Sequence, residues 1–218
     1  MAVIAEIKRR SPSKGTLCKN FNPVKIALDY ERAGASALSV LTDQKYFGGS
    51  LEILKKVKKN CALPILRKDF IIDEYQIYET RLIEADAILL IARVLDAKTL
   101  KRFHSLAKEL GLEVLFEVHD AADLKKVWPL KPQLVGINNR DLSNFRVDLS
   151  ITQRLASKVP KHCLLVSESG ISSAKDLIQL KKYGVKVVLV GETLMKNKKP
   201  GEALKQLLNN TEFSSSDG

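Results

Sequence analysis

Residues 87–118 read AILLIARVLDAKTLKRFHSLAKELGLEVLFEV, and this stretch decides the fold. It opens with the apolar run AILLIA (87–92) and closes with EVLFEV (113–118), and both runs are typical of buried strands. Between them, DAKTLKRFHSLAKELG repeats apolar residues at helical spacing. A strand, a helix and a second strand in this order predict two parallel strands joined by a crossover helix.

The same unit recurs along the whole chain of 218 residues. Eight units without an obvious linker predict an α/β fold over residues 1–210, a single-domain (β/α)8 TIM barrel with eight parallel strands. An open doubly wound sheet is the alternative, but the chain lacks the GxGxxG turn of a dinucleotide fold. The final segment 211–218, TEFSSSDG, is predicted to be a disordered tail. The other strand candidates are VIAEIK (3–8), ALSVLT (37–42), PILRKD (64–69), LVGINN (134–139), LLVSE (164–168) and VVLVG (187–191).

Capping residues mark the ends of several predicted helices. Polar side chains that accept hydrogen bonds from a first helical turn are expected at Asp73, Asp120, Ser150 and Ser172. Glycines that end helices in the left-handed conformation are expected at Gly34, Gly111 and Gly184.

Composition argues against several classes of protein. The chain is 45% hydrophobic and 28% charged, and it shows no signal peptide or membrane-length apolar run. Its three cysteines are widely spaced and its three histidines lack metal-ligand spacing, so we expect no disulfide framework, no metal site and a cytoplasmic setting. The net charge of +11 is unusual, but the lysines alternate with apolar residues at helical spacing. We therefore favour solvated helix faces over contact with nucleic acid or a membrane.

Charged residues stand at the ends of the strands, and strand parity gives their direction. Residues two apart share a face, so Glu6 and Lys8 lie opposite Val3, Ala5 and Ile7. Because the helix-facing side of a barrel strand must be apolar, the charged face points into the barrel at its carboxyl end. The same reasoning directs these further residues inward: Lys68, Phe70, Glu117, Asn138, Arg140 and Glu168.

Such charges could pair with one another and merely plug the top of the barrel. Taking a charge out of water costs several kcal/mol per ion before pairing. Three carboxylates and three cations are therefore an inefficient plug, and we interpret the set as a catalytic site.

Two short segments predict a site for an anion. SESG (167–170) follows the seventh strand and VGET (190–193) follows the eighth, and these are the loops where barrels often bind phosphate. Small residues let backbone N–H groups approach a phosphate closely. Ser11 in the first loop is placed to complete this site, so we expect a small phosphorylated substrate.

Seven motifs, in order along the chain, together resemble one enzyme family. They are AEIKRRSPSKG, SVLTDQKYFGGS, PILRKDFIIDEYQIYE, FEVHD, VGINNRDL, VSESGI and VLVGETLM. Between residue 2 and about residue 208 the chain closely resembles indole-3-glycerol phosphate synthase of the tryptophan pathway.

The resemblance implies a carboxy-lyase that works without metal or organic cofactor. Members of the family close the ring of 1-(2-carboxyphenylamino)-1-deoxyribulose 5-phosphate and release CO₂ and water. The resemblance implies that Lys68 is the general acid and that Glu117 is the acid/base partner around dehydration. It places Lys8 near the substrate carboxylate, where a role as second proton donor stays open, and the sequence does not say which lysine serves which step. The resemblance also implies that Glu6 and Lys8 form the pair of the first strand and that Asn138 and Arg140 orient the reacting groups. It assigns further substrate contacts to Glu168, Phe70, Leu89 and Leu90, and phosphate contacts to Ser11, Ser169, Gly170, Gly191 and Glu192.

One departure from the family concerns the beginning of the chain. Relatives usually carry a helical extension before the first strand, whereas here Met1 precedes that strand by one residue. Either the chain is a truncated or minimal form, or the missing piece is supplied elsewhere. We expect weak substrate affinity and exposed apolar surface that favours self-association, and we expect a monomer or a weak homo-oligomer.

Three alternatives remain open at this point. Phosphoribosylanthranilate isomerase would typically carry a cysteine on the first strand, where this chain has Glu6 and Lys8. A decarboxylase of the orotidine type would show DxKxxD, which is absent. A barrel that only binds polyanions would not need the inward polar residues.

Overall fold

A computed structural model describes residues 1–141 and 145–209 of the chain. Within them eight parallel strands form a closed barrel, in which each strand pairs with its neighbours in sequence and the last closes onto the first. The predicted (β/α)8 barrel is confirmed, and the strand ends differ from the prediction by no more than one residue. The strands are β1 (Ala2–Ile7), β2 (Ala37–Leu41), β3 (Ile65–Lys68), β4 (Ala87–Ile91), β5 (Glu113–Val118), β6 (Leu134–Asn138), β7 (Leu164–Glu168) and β8 (Val187–Val190).

Helices follow the strands and cover the outside of the barrel. Two four-residue helices, α2 after β2 and α9 after β8, were not predicted, because an element this short carries no periodic signal. The helices are α1 (Pro23–Arg32), α2 (Gln44–Phe47), α3 (Leu51–Asn60), α4 (Glu74–Leu82), α5 (Ala97–Glu109), α6 (Ala121–Val127), α7 (Ser150–Ala156), α8 (Ala174–Lys182), α9 (Glu192–Met195) and α10 (Pro200–Asn209).

The helix ends confirm most of the capping predictions. Asp73 and Asp120 accept hydrogen bonds from the first turns of α4 and α6. Ser150 is instead the first residue of α7, and its hydroxyl donates to Asp148. The prediction at Ser172 is wrong by one residue, because the next serine has the extended backbone of an N-cap and forms a capping box with α8. The three predicted glycine caps have φ values of +89°, +72° and +81°.

Two apolar cores lie on opposite sides of the sheet. The smaller core fills the barrel interior, with Leu66, Leu115, Val166 and Leu189 among its buried members. The larger core lies between the sheet and the helices. Apolar side chains thus fill both sides of the strands, and polar groups enter the interior at the carboxyl ends of the strands.

Two sequence predictions concern the ends and surface of the molecule. The tail at 211–218 lies outside the described residues. In the described part of the chain, no helix is long and apolar enough to cross a membrane.

Candidate active site

A cavity of about 600 Å³ opens at the carboxyl end of the barrel. The loops that follow the strands form its walls, and inward side chains from the strand ends form its floor. Fourteen of the fifteen predicted site residues line it, namely Glu6, Lys8, Ser11, Lys68, Phe70, Leu89, Glu117, Asn138, Arg140, Glu168, Ser169, Gly170, Gly191 and Glu192.

Lys68 lies at the centre of the floor, between two buried carboxylates. Its Nζ is 3.1 Å from Glu117 Oε2 and 3.5 Å from Glu168 Oε2. Burial on its own would lower the pKa of Lys68, but Glu117, Glu168 and Glu6 raise that pKa well above its usual range. Lys68 therefore stays protonated and can donate a proton to a bound molecule.

The two carboxylates that flank Lys68 have different proton affinities. Burial favours the neutral form of Glu117, but Lys68, His119 and a hydrogen bond from Asn138 hold its pKa below the usual value. Burial raises the pKa of Glu168, Lys68 opposes this shift, and repulsion from Glu117 and Glu6 adds to it, so that the pKa reaches about 8. One carboxylate is thus a base at neutral pH and the other is mainly a neutral acid.

Glycines make room for two of the carboxylates. A Cβ at Gly136 would lie 2.0 Å from Glu168 Oε1, and a Cβ at Gly191 would lie 2.2 Å from Glu6 Oε1. Glu6 in turn forms an ion pair with Lys8, with 2.5 Å between Oε1 and Nζ. Gly191, which was predicted to contact phosphate, therefore also has a steric role in placing Glu6.

Asn138 and Arg140 link the floor of the cavity to its rim. Asn138 Nδ2 donates to Glu117 Oε1 at 3.0 Å, and its Oδ1 accepts from the backbone N–H of Arg140. The Arg140 guanidinium donates to Ser13 Oγ at 3.3 Å and to Glu192 Oε2 at 2.8 Å. Arg140 thus connects the loops after β1, β6 and β8.

The Glu192 carboxylate is turned toward cations. Besides Arg140, it pairs with Lys196, whose Nζ is 2.6 Å from Oε1. Burial would raise the pKa of Glu192, but Lys196 and Arg140 hold it below the usual value. A negatively charged carboxylate repels phosphate, so a phosphate contact at Glu192 stays a prediction for its backbone N–H alone.

The positions predicted to bind phosphate contribute to the wall of the same cavity. Ser11, Ser169 and Gly170 all line it. Ser11 Oγ is buried and has no hydrogen-bond partner among the described residues. Ser169 and Gly170 both have left-handed backbone, with φ of +65° and +82°. A buried hydroxyl without a partner calls for an explanation, and an oxygen of a bound anion would supply that partner.

Aromatic and aliphatic side chains form another wall. Phe70 lies 6.4 Å from Phe47 between ring centroids, and Leu89 and Ile91 line the same cavity. Leu90 was predicted here, and that prediction is wrong. Neighbouring residues of a strand point to opposite faces, and Leu90 is fully buried in the core between the sheet and the helices.

Sequence reasoning missed several residues of the site. Parity from Leu89 would have identified Ile91. Phe47 lies in α2 and Lys196 follows α9, and both depend on loop conformations that periodicity does not give.

His119 lies just behind Glu117, with Nε2 3.5 Å from Glu117 Oε1 and Nδ1 3.7 Å from Asp123 Oδ2. In the part of the chain that the structure describes, no group of three or more His, Cys, Asp or Glu side chains is arranged to hold a metal ion.

A closed (β/α)8 barrel with these charged groups at the carboxyl ends of its strands defines the class of the protein, a barrel enzyme. Solved structures agree on the fold. The 3-hexulose-6-phosphate synthase of Salmonella typhimurium superposes with a TM-score of 0.74 at 14% identity, covering 97% of this chain and 100% of that one. A thiamine phosphate pyrophosphorylase from Pyrococcus furiosus superposes with a TM-score of 0.69 at 14% identity, covering 97% and 96%.

Sequence comparison gives the family. The family described as indole-3-glycerol phosphate synthase matches residues 1–207. The chain is 51% identical over 206 residues to the indole-3-glycerol phosphate synthase of Polaromonas naphthalenivorans, and 46% identical to that of Acetivibrio thermocellus. These alignments cover 94% of the chain and 78% and 79% of the two relatives. The chain belongs to the indole-3-glycerol phosphate synthase family.

The function is that of the family, the synthesis of indole-3-glycerol phosphate in tryptophan biosynthesis, and the enzyme is a carboxy-lyase. This assignment favours the synthase over the isomerase, the orotidine-type decarboxylase and the barrel that only binds polyanions.

Proposed function

We propose that Lys68 and Glu117 carry out the proton transfers of the ring closure and that the loops after β1, β7 and β8 hold the substrate phosphate. The substrate is 1-(2-carboxyphenylamino)-1-deoxyribulose 5-phosphate. The observation that carries the proposal is a protonated Lys68 held between Glu117 and Glu168 on the floor of a cavity with an aromatic wall.

The first step is the attack of the anilino ring on the substrate ketone. The ring carbon that bears the carboxylate forms the new C–C bond, and Lys68 gives a proton to the carbonyl oxygen, which becomes a hydroxyl. Lys8, beside Glu6, faces the substrate carboxylate. Phe70 and Leu89 pack against the aromatic ring and orient it. The C–C bond to the carboxylate then breaks, CO₂ leaves, and the ring regains its aromatic electrons.

The second step removes the new hydroxyl as water. The leaving oxygen needs a proton, and the remaining ring system loses one to form the indole. Glu117 is the acid/base group for this exchange, because Asn138 and Lys68 fix both of its oxygens. A positioned acid or base contributes roughly 10²–10⁴-fold to the rate.

The phosphate group is the second anchor of the substrate. Ser11 Oγ and the backbone N–H groups of Ser169, Gly170 and Gly191 support this placement, because all four residues line one cavity and Ser11 Oγ has no hydrogen-bond partner in the described chain. Arg140 and Lys196 add positive charge to the same cavity.

We also place the enzyme in the cytoplasm, as a monomer or weak homo-oligomer without nucleic-acid or membrane partners. The free thiols of Cys18, Cys61 and Cys163 support a reducing compartment.

Fluorescence of the indole product tests the proposal. We expect the wild-type enzyme to develop the signal on addition of the substrate, and Lys68→Ala to lose roughly 10²–10⁴-fold in rate. Lys101→Ala is the matched control, since it removes an exposed lysine of α5. Equal rates in wild type and Lys68→Ala would overturn the role of Lys68.

A further inference from the structure

Asn139 follows the catalytic Asn138 directly, but it points away from the cavity. Its side chain is completely buried between β6, β7 and α7. Its Nδ2 donates to Ser167 Oγ at 2.9 Å, to the Glu168 carbonyl at 2.9 Å and to the Ser169 carbonyl at 3.2 Å. The two N–H bonds of one amide group are thus shared among three consecutive residues that lead into the proposed phosphate site.

The other half of the same amide is also occupied. Asn139 Oδ1 accepts from the backbone N–H of Thr152 at 3.1 Å and from Thr152 Oγ1 at 2.8 Å. Thr152 Oγ1 lies 2.9 Å from Ser167 Oγ, which closes a small buried network. The network fastens the end of β7 to the first turn of α7.

The segment held by this network has an unfavourable backbone conformation. Ser169 has φ of +65°, a region that costs a non-glycine residue free energy because Cβ crowds the following carbonyl. Gly170 follows with φ of +82°. Such a conformation persists when the surroundings fix it, and the hydrogen bond from Asn139 to the Ser169 carbonyl is a direct constraint of that kind.

Asn139 also acts on the other side of Gly170. The Asn139 carbonyl accepts from the backbone N–H of Asp148 at 2.9 Å. That hydrogen bond fixes the segment carrying Val147, whose Cγ1 would lie 2.3 Å from a Cβ at Gly170. The Asn139 side chain thus holds the Ser169–Gly170 segment directly. The Asn139 backbone carbonyl holds the neighbouring segment that carries Val147.

We propose that Asn139 is a positioning residue for substrate binding, which keeps the Ser169–Gly170 backbone in the left-handed conformation that presents its N–H groups to the phosphate. The inference rests on the proposed phosphate site. Asparagine suits this position because it supplies donors and an acceptor without charge. Aspartate would face the carbonyls of residues 168 and 169 with a negative charge, and serine is too short to reach them.

The experiment compares Asn139→Ser with Asn138→Ala and measures kcat, KM and the inhibition constant of inorganic phosphate. We expect Asn139→Ser to raise KM and the phosphate inhibition constant about tenfold, the effect of one or two lost hydrogen bonds, with kcat within about threefold of wild type. Asn138→Ala should lower kcat and change the phosphate constant less than Asn139→Ser does, because it reaches the phosphate only through Arg140. An unchanged phosphate constant in Asn139→Ser, or an equal loss in kcat, would overturn the inference.

A rescue separates positioning from general loss of structure. In a Ser169→Gly background the left-handed conformation has no steric penalty, so adding Asn139→Ser should weaken phosphate binding by only about threefold. The full tenfold effect in that background would contradict the inference. If Asn139→Ser does not fold, Thr152→Val removes one member of the network and should shift the phosphate constant in the same direction, whereas no shift would count against the inference.

Ser11→Ala shows which proposal fails. If this variant weakens phosphate binding and Asn139→Ser does not, the proposed phosphate site is supported and the proposed role of Asn139 is wrong. If neither variant changes phosphate binding, the phosphate site itself is wrong and both proposals fall.

Discussion

Arg67 and Lys68 are neighbours on β3, and they face opposite sides of the sheet. On the helix side, the Arg67 guanidinium donates to Thr42 Oγ1 at 3.1 Å, to Thr80 Oγ1 at 3.0 Å and to the Gln76 carbonyl at 2.9 Å. It also pairs with Asp69 at 3.2 Å and Glu79 at 2.8 Å. Every nitrogen of Arg67 is therefore used.

On the other side of the sheet, the Glu168 carboxyl group is incompletely paired. Lys68 Nζ lies 3.5 Å from Glu168 Oε2, and neither oxygen of Glu168 has a well-formed hydrogen bond within the described residues. The preceding residue, Ser167, is fully engaged on the helix side with Asn139 and Thr152. The two faces thus use buried polar groups differently. Those of the helix side are saturated and hold elements together, whereas those of the cavity keep bonding capacity for a substrate.

Glu117→Gln should have the largest effect, and it acts on the cavity face. The amide keeps the shape of the carboxyl group but cannot exchange a proton, so we expect kcat to fall roughly 10²–10⁴-fold. Stability should fall less than in Arg67→Met, because removing the Glu117 charge removes the repulsion that favours neutral Glu168, and Glu168 can then ionise beside Lys68. Steady-state kinetics and thermal unfolding of the same preparation measure both quantities. A large loss of stability would mean that Glu117 is structural like Arg67.

Arg67→Met should have the opposite effect, a large loss of stability with little change in kinetics. Breaking one member of a buried ion-pair network leaves Asp69 and Glu79 without their cation, so we expect a loss of roughly 3–5 kcal/mol in the free energy of unfolding. KM of the folded fraction should change less than stability, because Arg67 does not line the cavity and reaches it only through Asp69. Urea unfolding together with kinetics at low temperature tests this. Arg93→Met is a matched control, since it removes a more exposed arginine from a pair with Asp120. An equal loss in the control would remove the distinction.

The two leucines of β4 allow the same comparison of the helix side and the cavity side with uncharged residues. Leu90 packs on the helix side and Leu89 lines the cavity. Leu90→Ala should cost roughly 2–5 kcal/mol of stability through the cavity that it leaves, with KM unchanged. Leu89→Ala should raise KM, because the wall of the substrate pocket recedes. Chemical denaturation and substrate titration of the pair measure this, and a raised KM in Leu90→Ala alone would invert the assignment.

These pairs explain what the sequence predicts well and what it does not. Period-two alternation determines which face a strand residue occupies, so the sequence predicts that Glu6, Lys68, Glu117, Asn138 and Glu168 face one cavity. Leu90 failed only because two adjacent residues were assigned to one face.

The partners of inward and outward groups depend on tertiary contacts. Contacts between loops that are distant in sequence determine three features of the site. These are the position of Phe47, the contact of the Glu192 carboxylate with Lys196 and the network around Asn139. The spacing of apolar and polar residues along the chain does not predict such tertiary contacts.

Glu168→Gln gives the smallest effect, which appears only as pH changes. The folded-state pKa of Glu168 is about 8, against 4.5 for an unperturbed group. The folded protein therefore holds this proton more tightly than the unfolded chain, and the stability that results is complete below 4.5 and is lost as pH rises through 8. Between pH 5 and pH 8.5 we expect wild type to lose stability steadily relative to Glu168→Gln, which has no such proton.

Glu192→Gln is the control of opposite sign. The pKa of Glu192 is held below its usual value, so its contribution to stability is present above 4.5 and is lost in acid. Urea unfolding at several pH values should show Glu168→Gln gaining on wild type as pH rises, and Glu192→Gln gaining on wild type as pH falls. Parallel curves for wild type and Glu168→Gln would mean that Glu168 is ionised at neutral pH. A neutral Glu168 can donate a proton at pH 7, so that outcome would remove Glu168 as a proton donor beside Lys68.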